Sequence, residues 1–149
     1  MGYSHTQKGH WHWVFILTTL SAAVPGVLLV GENLYLSIIL MVSAAIIAFF
    51  GVGFGHLTVE EENDRLRVRF GPVPIFQKAI PYSDIVSAEP AQSSFIDGWG
   101  LHYTPGKGMI WNIWGWDCVS LTLQNGKTFR IGTDDVEGLI AHLNERIGR

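Results

Sequence analysis

Two uncharged apolar runs near the N-terminus constrain this chain more than any other feature. Residues 13–30 read WVFILTTLSAAVPGVLLV, and residues 34–54 read LYLSIILMVSAAIIAFFGVGF. At about 1.5 Å of rise per residue, helices of these lengths would extend roughly 27 and 32 Å, close to the ~30 Å hydrocarbon core of a bilayer. Only the tripeptide Gly-Glu-Asn separates them. The sequence therefore predicts a transmembrane hairpin of two antiparallel helices over 13–54, preceded by an interfacial segment, 1–12.

Two other interpretations of these runs are weaker. A cleaved signal peptide would need a cleavage site, which residues 21–23 resemble only loosely, and a secreted domain has no use for the second run. Two buried core helices would need more surrounding chain than remains. Small and hydroxyl side chains would instead let membrane helices approach closely. These residues are Thr18, Thr19, Ser21, Ala22, Ala23, Ser43, Ala44 and Ala45.

Two crossings would place the N-terminus and the C-terminal domain on the same side of the membrane. Lys8, Arg65, Arg67 and Arg69 would lie on that side, whereas the hairpin loop contains no Lys or Arg. The positive-inside rule then predicts a multi-pass protein with both termini in the cytoplasm.

The overall charge is low and slightly acidic. Charged residues make up 15% of the chain, and the formal net charge is −3, whereas soluble domains contain roughly 25% charged residues. Nucleic acid is therefore not an expected partner, because its recognition usually requires a basic stripe. Cys118 is the single cysteine, which excludes an internal disulfide and a cysteine-based metal site.

Beyond residue 54 the apolar pattern changes to the alternation typical of strands. We predict strands at His56–Glu61 and Arg65–Phe70, joined by a two-residue turn. This register sets glutamates opposite arginines, so a solvated ion-pair face is favoured over a lipid-phosphate site. The predicted pairs are Leu57 with Phe70, Val59 with Val68, Glu60 with Arg67, and Glu62 with Arg65.

The C-terminal third predicts a hairpin and then a helix. A three-residue loop at 124–126 would pair Leu121 with Phe129 and Val119 with Ile131, with Gly126 in a left-handed conformation. A helix over 134–147 would begin at an Asp134 cap with Glu137 at the capping-box position. Its predicted apolar stripe comprises Val136, Leu139, Ile140, Leu143 and Ile147.

This order of elements resembles the bacterial pleckstrin-homology-like (PH-like) membrane proteins, over roughly residues 56–147. The residues that carry the resemblance are Gly98-Trp99-Gly100-Leu101-His102, Thr104-Pro105-Gly106, Trp111-Asn112-Ile113-Trp114-Gly115 and Ile131-Gly132-Thr133-Asp134-Asp135. The resemblance implies an α+β membrane protein. Its hairpin would precede a PH-like β-barrel or sandwich of about seven strands over 56–149, closed by a C-terminal capping helix. It also implies the bacterial cytoplasmic (inner) membrane and a binding platform rather than an enzyme.

Aromatic residues are concentrated between residues 95 and 116. Trp111 and Trp114 have opposite parity, so a regular strand cannot bury both. At least one tryptophan should therefore contact lipid headgroups or a partner protein; the alternative is a bulge that places them in the core. The predicted partner-contact residues are Phe95, Trp99, Trp111, Trp114 and Trp116.

Three histidines flank the predicted hairpin. His10 and His12 precede its first helix and His56 follows its second, so all three would share one membrane interface. Imidazole is a common ligand, which makes them candidate metal or cofactor ligands. No HxxxH spacing or partnering carboxylate accompanies them, which favours ordinary boundary residues and no cofactor. Trp11 and Trp13 are predicted membrane-interface residues of an aromatic belt.

Catalytic motifs are missing from the sequence: it has no nucleophile elbow, paired carboxylates in an apolar setting, or glycine-rich phosphate loop. We therefore expect a protein that is not an enzyme. The leading hypothesis is a non-catalytic accessory subunit of a larger membrane complex, for example a respiratory or photosynthetic one. Its partners would be other integral membrane subunits and the lipid bilayer. The alternatives are a membrane-anchored lipid- or signal-binding module and a cofactor-binding membrane protein that uses the interfacial histidines.

Overall fold

The computed structural model describes residues 2–10, 12–73, 75–94 and 100–147, which form an α+β structure with three helices and two sheets. The helices are α1 (His12–Leu28), α2 (Leu34–Gly53) and α3 (Val136–Arg146). The strands are β1 (Ser4–Lys8), β2 (His56–Glu62), β3 (Arg65–Phe70), β4 (Gln77–Pro81), β5 (Ile85–Gln92), β6 (Gly100–Thr104), β7 (Gly108–Asn112), β8 (Asp117–Leu123) and β9 (Thr128–Gly132).

The helices α1 and α2 pack against each other along their length. Near the connecting loop, the hydroxyl group of Ser37 donates a 2.6 Å hydrogen bond to the carbonyl oxygen of Gly26. At the other end, Phe15 packs so closely on Gly51 that a Cβ there would lie 2.8 Å from the Cβ of Phe15. Among the described residues, α2 alone is long and apolar enough to cross a membrane; α1 is apolar but has 17 residues.

The segment before α1 contains the strand β1, which the sequence pattern did not predict. β1 pairs antiparallel with β2, with His5 opposite Val59 and Lys8 opposite His56. Gln7 is 5% exposed, and its Nε2 donates to the carbonyl oxygen of Trp114 at 3.0 Å. Backbone pairing holds this edge strand in place, and such pairing requires no alternation of apolar residues.

The first sheet has the order β1-β2-β3-β4. All four predicted cross-strand pairs of the β2–β3 hairpin are present, which confirms the two-residue turn and the register. The glutamates do pair with arginines, but each pairs with the arginine diagonally across the two strands and not with the one directly opposite. Arg67 contacts Glu62 at 2.9 Å and Arg69 contacts Glu60 at 3.1 Å.

The second sheet has the order β5-β8-β9-β7-β6, and β7 runs parallel to β9. The predicted β8–β9 register is confirmed, and Gly126 has the predicted positive φ, +75°. β7 and β9 approach closely at Gly108, which has a φ of +78°. A Cβ at this position would lie 2.1 Å from the carbonyl oxygen of Thr128, so only glycine fits.

One hydrophobic core lies between the two sheets and α3. Phe70 and Trp111 meet across it with 5.5 Å between ring centroids. Eight of the nine described strands lie within 56–149, where about seven were predicted; the strands form two separate sheets, and a closed barrel is not confirmed. Fully or nearly fully buried core residues include Leu57, Val59, Leu66, Val68, Phe70, Val119, Leu121, Phe129, Ile131, Leu139 and Leu143.

Helix α3 has its predicted apolar stripe but a different cap. Leu139 and Leu143 are fully buried, and Val136, Ile140 and Ile147 pack on the core. The carboxylate of Asp135, not Asp134, accepts the hydrogen bond from the N–H of Gly138 at 3.1 Å. The predicted capping box with Glu137 was therefore wrong by one residue. The reason is that Asp134 pairs with His5 at 2.5 Å instead, while Thr133 accepts from the N–H of Asp135.

Candidate docking site at the hairpin end of the β domain

The helix pair joins the β domain at a short connection, which we call the neck, where Gly9, the segment 53–55 and Gly71 lie close together. The N–H of Gly9 donates to the carbonyl oxygen of Gly55 at 3.2 Å, which ties the strand before α1 to the chain after α2. Gly71 has a φ of +63°, and a Cβ there would lie 2.2 Å from the carbonyl oxygen of Gly53. Phe54 packs on Phe70 with 5.0 Å between ring centroids. The domain therefore sits directly on the helix ends.

Trp114 and Trp116 lie in the loop after β7, at this same hairpin end. The side chain of Asn112 shapes the loop because its Oδ1 accepts from the N–H of Trp114 at 3.1 Å and its Nδ2 donates to the carbonyl oxygen of Gly115 at 3.0 Å. Asn112 itself is fully buried. Trp114 and Trp116 remain 38% and 46% exposed. The ring of His10 lies 4.8 Å from that of Trp114.

A third predicted partner-contact residue, Trp111, lies in the core and not in this loop. Trp111 is 7% exposed and packs on Phe70 and Phe129 in the core, so it is not available to a partner. The prediction that at least one tryptophan is exposed is confirmed by Trp114 and Trp116, which lie beyond the end of β7, whereas Trp111 lies on the core-facing side of the strand. The remaining predicted residues, Phe95 and Trp99, lie outside the described residues.

Two further apolar side chains are exposed at the hairpin end. Val73 and Ile75, in the loop between β3 and β4, are 50% and 45% exposed. That loop lies at the neck because it follows Gly71. We call Val73, Ile75, Trp114 and Trp116 the hairpin-end surface. Sequence reasoning missed Val73 and Ile75 because a Gly-Pro-rich loop shows no periodicity.

Of the two predicted membrane-interface tryptophans, one is described. Trp13 is 63% exposed on the first turn of α1, near the neck. Its ring lies 5.1 Å from the ring of His12. Trp11 lies outside the described residues. The position of Trp13 is the one that an aromatic belt residue would take.

The three candidate histidine ligands each have their own surroundings near the neck. Among the described ranges, no three His, Cys, Asp or Glu side chains are placed to hold one metal ion. The ring of His10 contacts that of Trp114 at a tilted angle of 54°, and Nδ1 of His12 lies 3.3 Å from the carbonyl oxygen of Gly9. Burial lowers the pKa of His56, and the positive charges of Arg69 and Lys8 lower it further. The same two charges would repel a bound cation.

A groove of about 330 Å³ runs between α1 and α2 near the neck. Its lining is almost entirely apolar, and three of its residues, Thr19, Ala48 and Gly51, are small. The complete lining is His12, Phe15, Ile16, Thr19, Leu20, Ala48, Gly51 and Val52. A groove with small side chains in its lining lets another helix approach closely.

A sealed polar cluster at the opposite end was not foreseen from the sequence. The Tyr82 hydroxyl lies 2.9 Å from Nε2 of His142, and the ring of Tyr3 stacks on His142 at 5.1 Å. Glu61 is paired with Arg146. Burial is the main cause that raises the pKa of Tyr82 to about 12 and lowers that of His142. The cluster ties the start of β1 to α3.

The contacts of this cluster hold the start of β1 against α3. The side chains of Glu61 and His142 are only 10% and 11% exposed. Tyr3 also donates from its hydroxyl group to Asp135 at 3.0 Å. The hairpin end, with its exposed aromatic side chains and groove, is therefore the candidate functional site.

No model of a known protein family matches this chain, and no curated protein matches its sequence.

Proposed function

We propose that this protein is a non-catalytic accessory subunit of a larger membrane protein complex. The helix pair would cross the bilayer twice and pack on a helix of a partner subunit. The hairpin-end surface would contact the same partner just outside the membrane. The observation that carries the proposal is the pairing of β1 with β2.

That pairing bears directly on how the chain meets a membrane. β1 precedes α1 and β2 follows α2, yet the two strands are neighbours in one sheet. If α2 crosses a bilayer, α1 has to cross back, because otherwise the two strands would lie on opposite sides. Cleavage after residues 21–23 would remove β1 from the sheet. The pairing therefore supports a two-helix anchor over a signal peptide.

The polar groups of the helix pair also suit a bilayer. The hydroxyl groups of Thr18, Ser21 and Ser43 donate to carbonyl oxygens of their own helix at 2.7–2.8 Å. Most of the exposed large apolar side chains among the described residues belong to α1, α2 and their loop. Such an apolar surface is favourable in contact with hydrocarbon and unfavourable in contact with water.

The partner that this geometry fits is an integral membrane protein. The groove is apolar, with small residues in its lining, which suits a transmembrane helix. It reaches the neck at His12 and Val52, so it continues towards the hairpin-end surface. A partner with a membrane helix and an adjoining extramembrane face would contact both. A respiratory or photosynthetic assembly is the kind of host that we propose.

The proposal includes the orientation of the protein in the membrane and the fold family of its β domain. Lys8 and the β3 arginines would place both termini in the cytoplasm of a bacterium, by the positive-inside rule. The β domain, with its stacked sheets and closing helix, would be a divergent PH-like platform.

The experiment is mild detergent extraction of the full chain from its native membrane, followed by size-exclusion chromatography and mass spectrometry. We expect one membrane protein to co-elute at a constant ratio. Ala48→Phe, which fills the groove, should abolish co-elution, whereas Ile46→Phe on the exposed face of α2 should preserve it. A lone monomer, a homo-oligomer, or equal behaviour of the two variants would overturn the proposal.

A further inference from the structure

The inner face of the second sheet extends beyond the edge of the first. Phe129 of β9 pairs with Met109 of β7, which pairs with Tyr103 of β6, so their side chains share one face. Exposure increases along this row, from 1% at Phe129 to 37% at Met109 and 68% at Tyr103. The two-sheet core therefore opens on this side and leaves an apolar wall uncovered.

Lys78 lies at the edge of this opening. Lys78 lies on the edge strand β4, two residues before the buried Ile80, so its side chain is directed inward. Its Nζ lies 4.5 Å from the ring centroid of Phe129. The ammonium group thus covers the last buried ring of the row by a cation–π contact.

A second lysine lines the same pocket. The pocket has a volume of about 620 Å³, within the ordinary range for small-ligand sites. Lys127, from the turn between β8 and β9, lines this pocket together with Tyr103 and Met109. Burial lowers the pKa of Lys78, and the charge of Lys127 lowers it further.

The two positive charges have no acidic counterpart in the part of the chain that the structure describes. Neither ammonium group has a described carboxylate oxygen within 4.0 Å. Two like charges around one partly desolvated pocket repel each other, and a bound anion would relieve that repulsion. Beside them is an uncovered aromatic and thioether surface.

We propose that this pocket binds a phosphate monoester with a flat apolar body. The phosphate dianion would lie between Lys78 and Lys127, matching their two charges, and the apolar body would lie against Tyr103 and Met109. A free phosphate ester and a phosphorylated lipid headgroup share this chemistry. The site is independent of the docking surface at the hairpin end.

Edge protection is the alternative explanation for one of these residues. An inward-pointing lysine on an edge strand blocks strand-to-strand association. This accounts for Lys78 but not for Lys127 or for the exposed Tyr103–Met109 pair. It predicts that Lys78→Gln promotes self-association and that Lys127→Gln has no effect on any ligand.

The test uses the full chain in a neutral maltoside detergent, with phenyl phosphate as the probe and benzyl alcohol as its uncharged control. We expect saturable binding of phenyl phosphate by calorimetry and none of benzyl alcohol. Lys78→Gln and Lys127→Gln should each weaken binding about tenfold or more, the equivalent of about 1.4 kcal/mol. Lys107→Gln makes the same charge change on a side chain outside the lining and should leave affinity unchanged.

Several results would overturn the proposal. These are a lack of saturable binding, equal weakening by Lys107→Gln, or binding that neither lysine variant alters while circular dichroism shows that each remains folded. Once binding is established, its source is decided by competition. Phosphatidylcholine vesicles with phosphatidic acid would displace the probe if the natural ligand is a lipid headgroup. Failure to displace it would identify a free phosphate ester.

Discussion

The hydroxyl group of Ser37 is the hydrogen-bond partner of the carbonyl oxygen of Gly26, at 2.6 Å, where α2 begins and α1 ends. The backbone explains why this bond exists. Val30 donates to Val27 rather than to Gly26, so the carbonyl group of Gly26 turns towards the neighbouring helix. The glycine also lets Met41 pack against α1, since a Cβ there would lie 3.1 Å from its side chain.

Removal of this bond should loosen the helix pair. Ser37→Ala leaves the carbonyl group of Gly26 without a partner, and interhelical hydrogen bonds in membranes contribute about 0.6–2 kcal/mol. We expect the free energy of unfolding in a mixed-micelle denaturation series to fall by about that amount. Ser43→Ala is the control, because Ser43 bonds only within α2. An equal loss in both variants would contradict the interhelical role.

Cysteine labelling should place the hairpin loop and the β domain on opposite sides of the membrane. Cys118 is the only native cysteine and is fully buried, so an introduced surface thiol reacts selectively. In sealed vesicles, a membrane-impermeant maleimide should label either Glu32→Cys or Arg65→Cys, but not both. Disruption of the vesicles should expose the other site. Labelling of both sites in intact vesicles would contradict two crossings.

The neck should tolerate no side chain at Gly71. Gly71→Ala meets both a φ of +63° and the carbonyl oxygen of Gly53. Gly126→Ala is the matched control, because Gly126 has a φ of +75° but open space around it. The left-handed conformation costs about 1–2 kcal/mol, so Gly126→Ala should lose roughly that much stability. Gly71→Ala should lose clearly more in thermal denaturation; equal losses would refute the close approach.

Acid should destabilise the β domain through His142. Burial holds its folded pKa below the ordinary value of 6.5, so between those two pKa values the unfolded chain binds a proton that the folded chain does not. Stability is therefore complete above pH 6.5 and falls as the pH decreases towards the folded pKa. His142→Gln should reduce this slope, leaving the contribution of His56, whose pKa is also lowered. Replacement of the exposed His102 is the control, and an unchanged slope in His142→Gln would disprove the assignment.

The β-hairpin registers could be predicted from the sequence because parity and charge agree in them. A shift of one residue would have turned Val59 and Val68 to solvent and left Glu60 facing an apolar residue. The three-residue loop before Lys127 was decided in the same way by Leu121 and Phe129. In each case one face has to be buried, so only one register is possible.

Features held by single polar contacts could not be predicted. β1 has no apolar alternation, and its place in the sheet depends on backbone pairing and on Gln7. The sequence does not distinguish Asp134 from Asp135 as the N-cap of α3. In the structure Asp134 pairs with His5, and Asp135 is the cap. Trp111 is buried against Phe70 and Phe129, whereas Trp114 lies beyond the end of β7, and the sequence pattern does not show where this strand ends. The candidate docking surface was therefore predicted only in part, through Trp114 and Trp116.

Site-specific photo-crosslinking in native membranes tests the docking account most directly. A photoreactive amino acid would replace Ala48 in the groove, Trp114 on the hairpin-end surface, or Ile46, which is 52% exposed outside the groove. If a partner docks at the groove and the hairpin-end surface, the Ala48 and Trp114 positions should both give an adduct with the same membrane protein, and Ile46 should give none. Docking there is contradicted if neither position yields a protein adduct, or if the only adduct is a second copy of this chain.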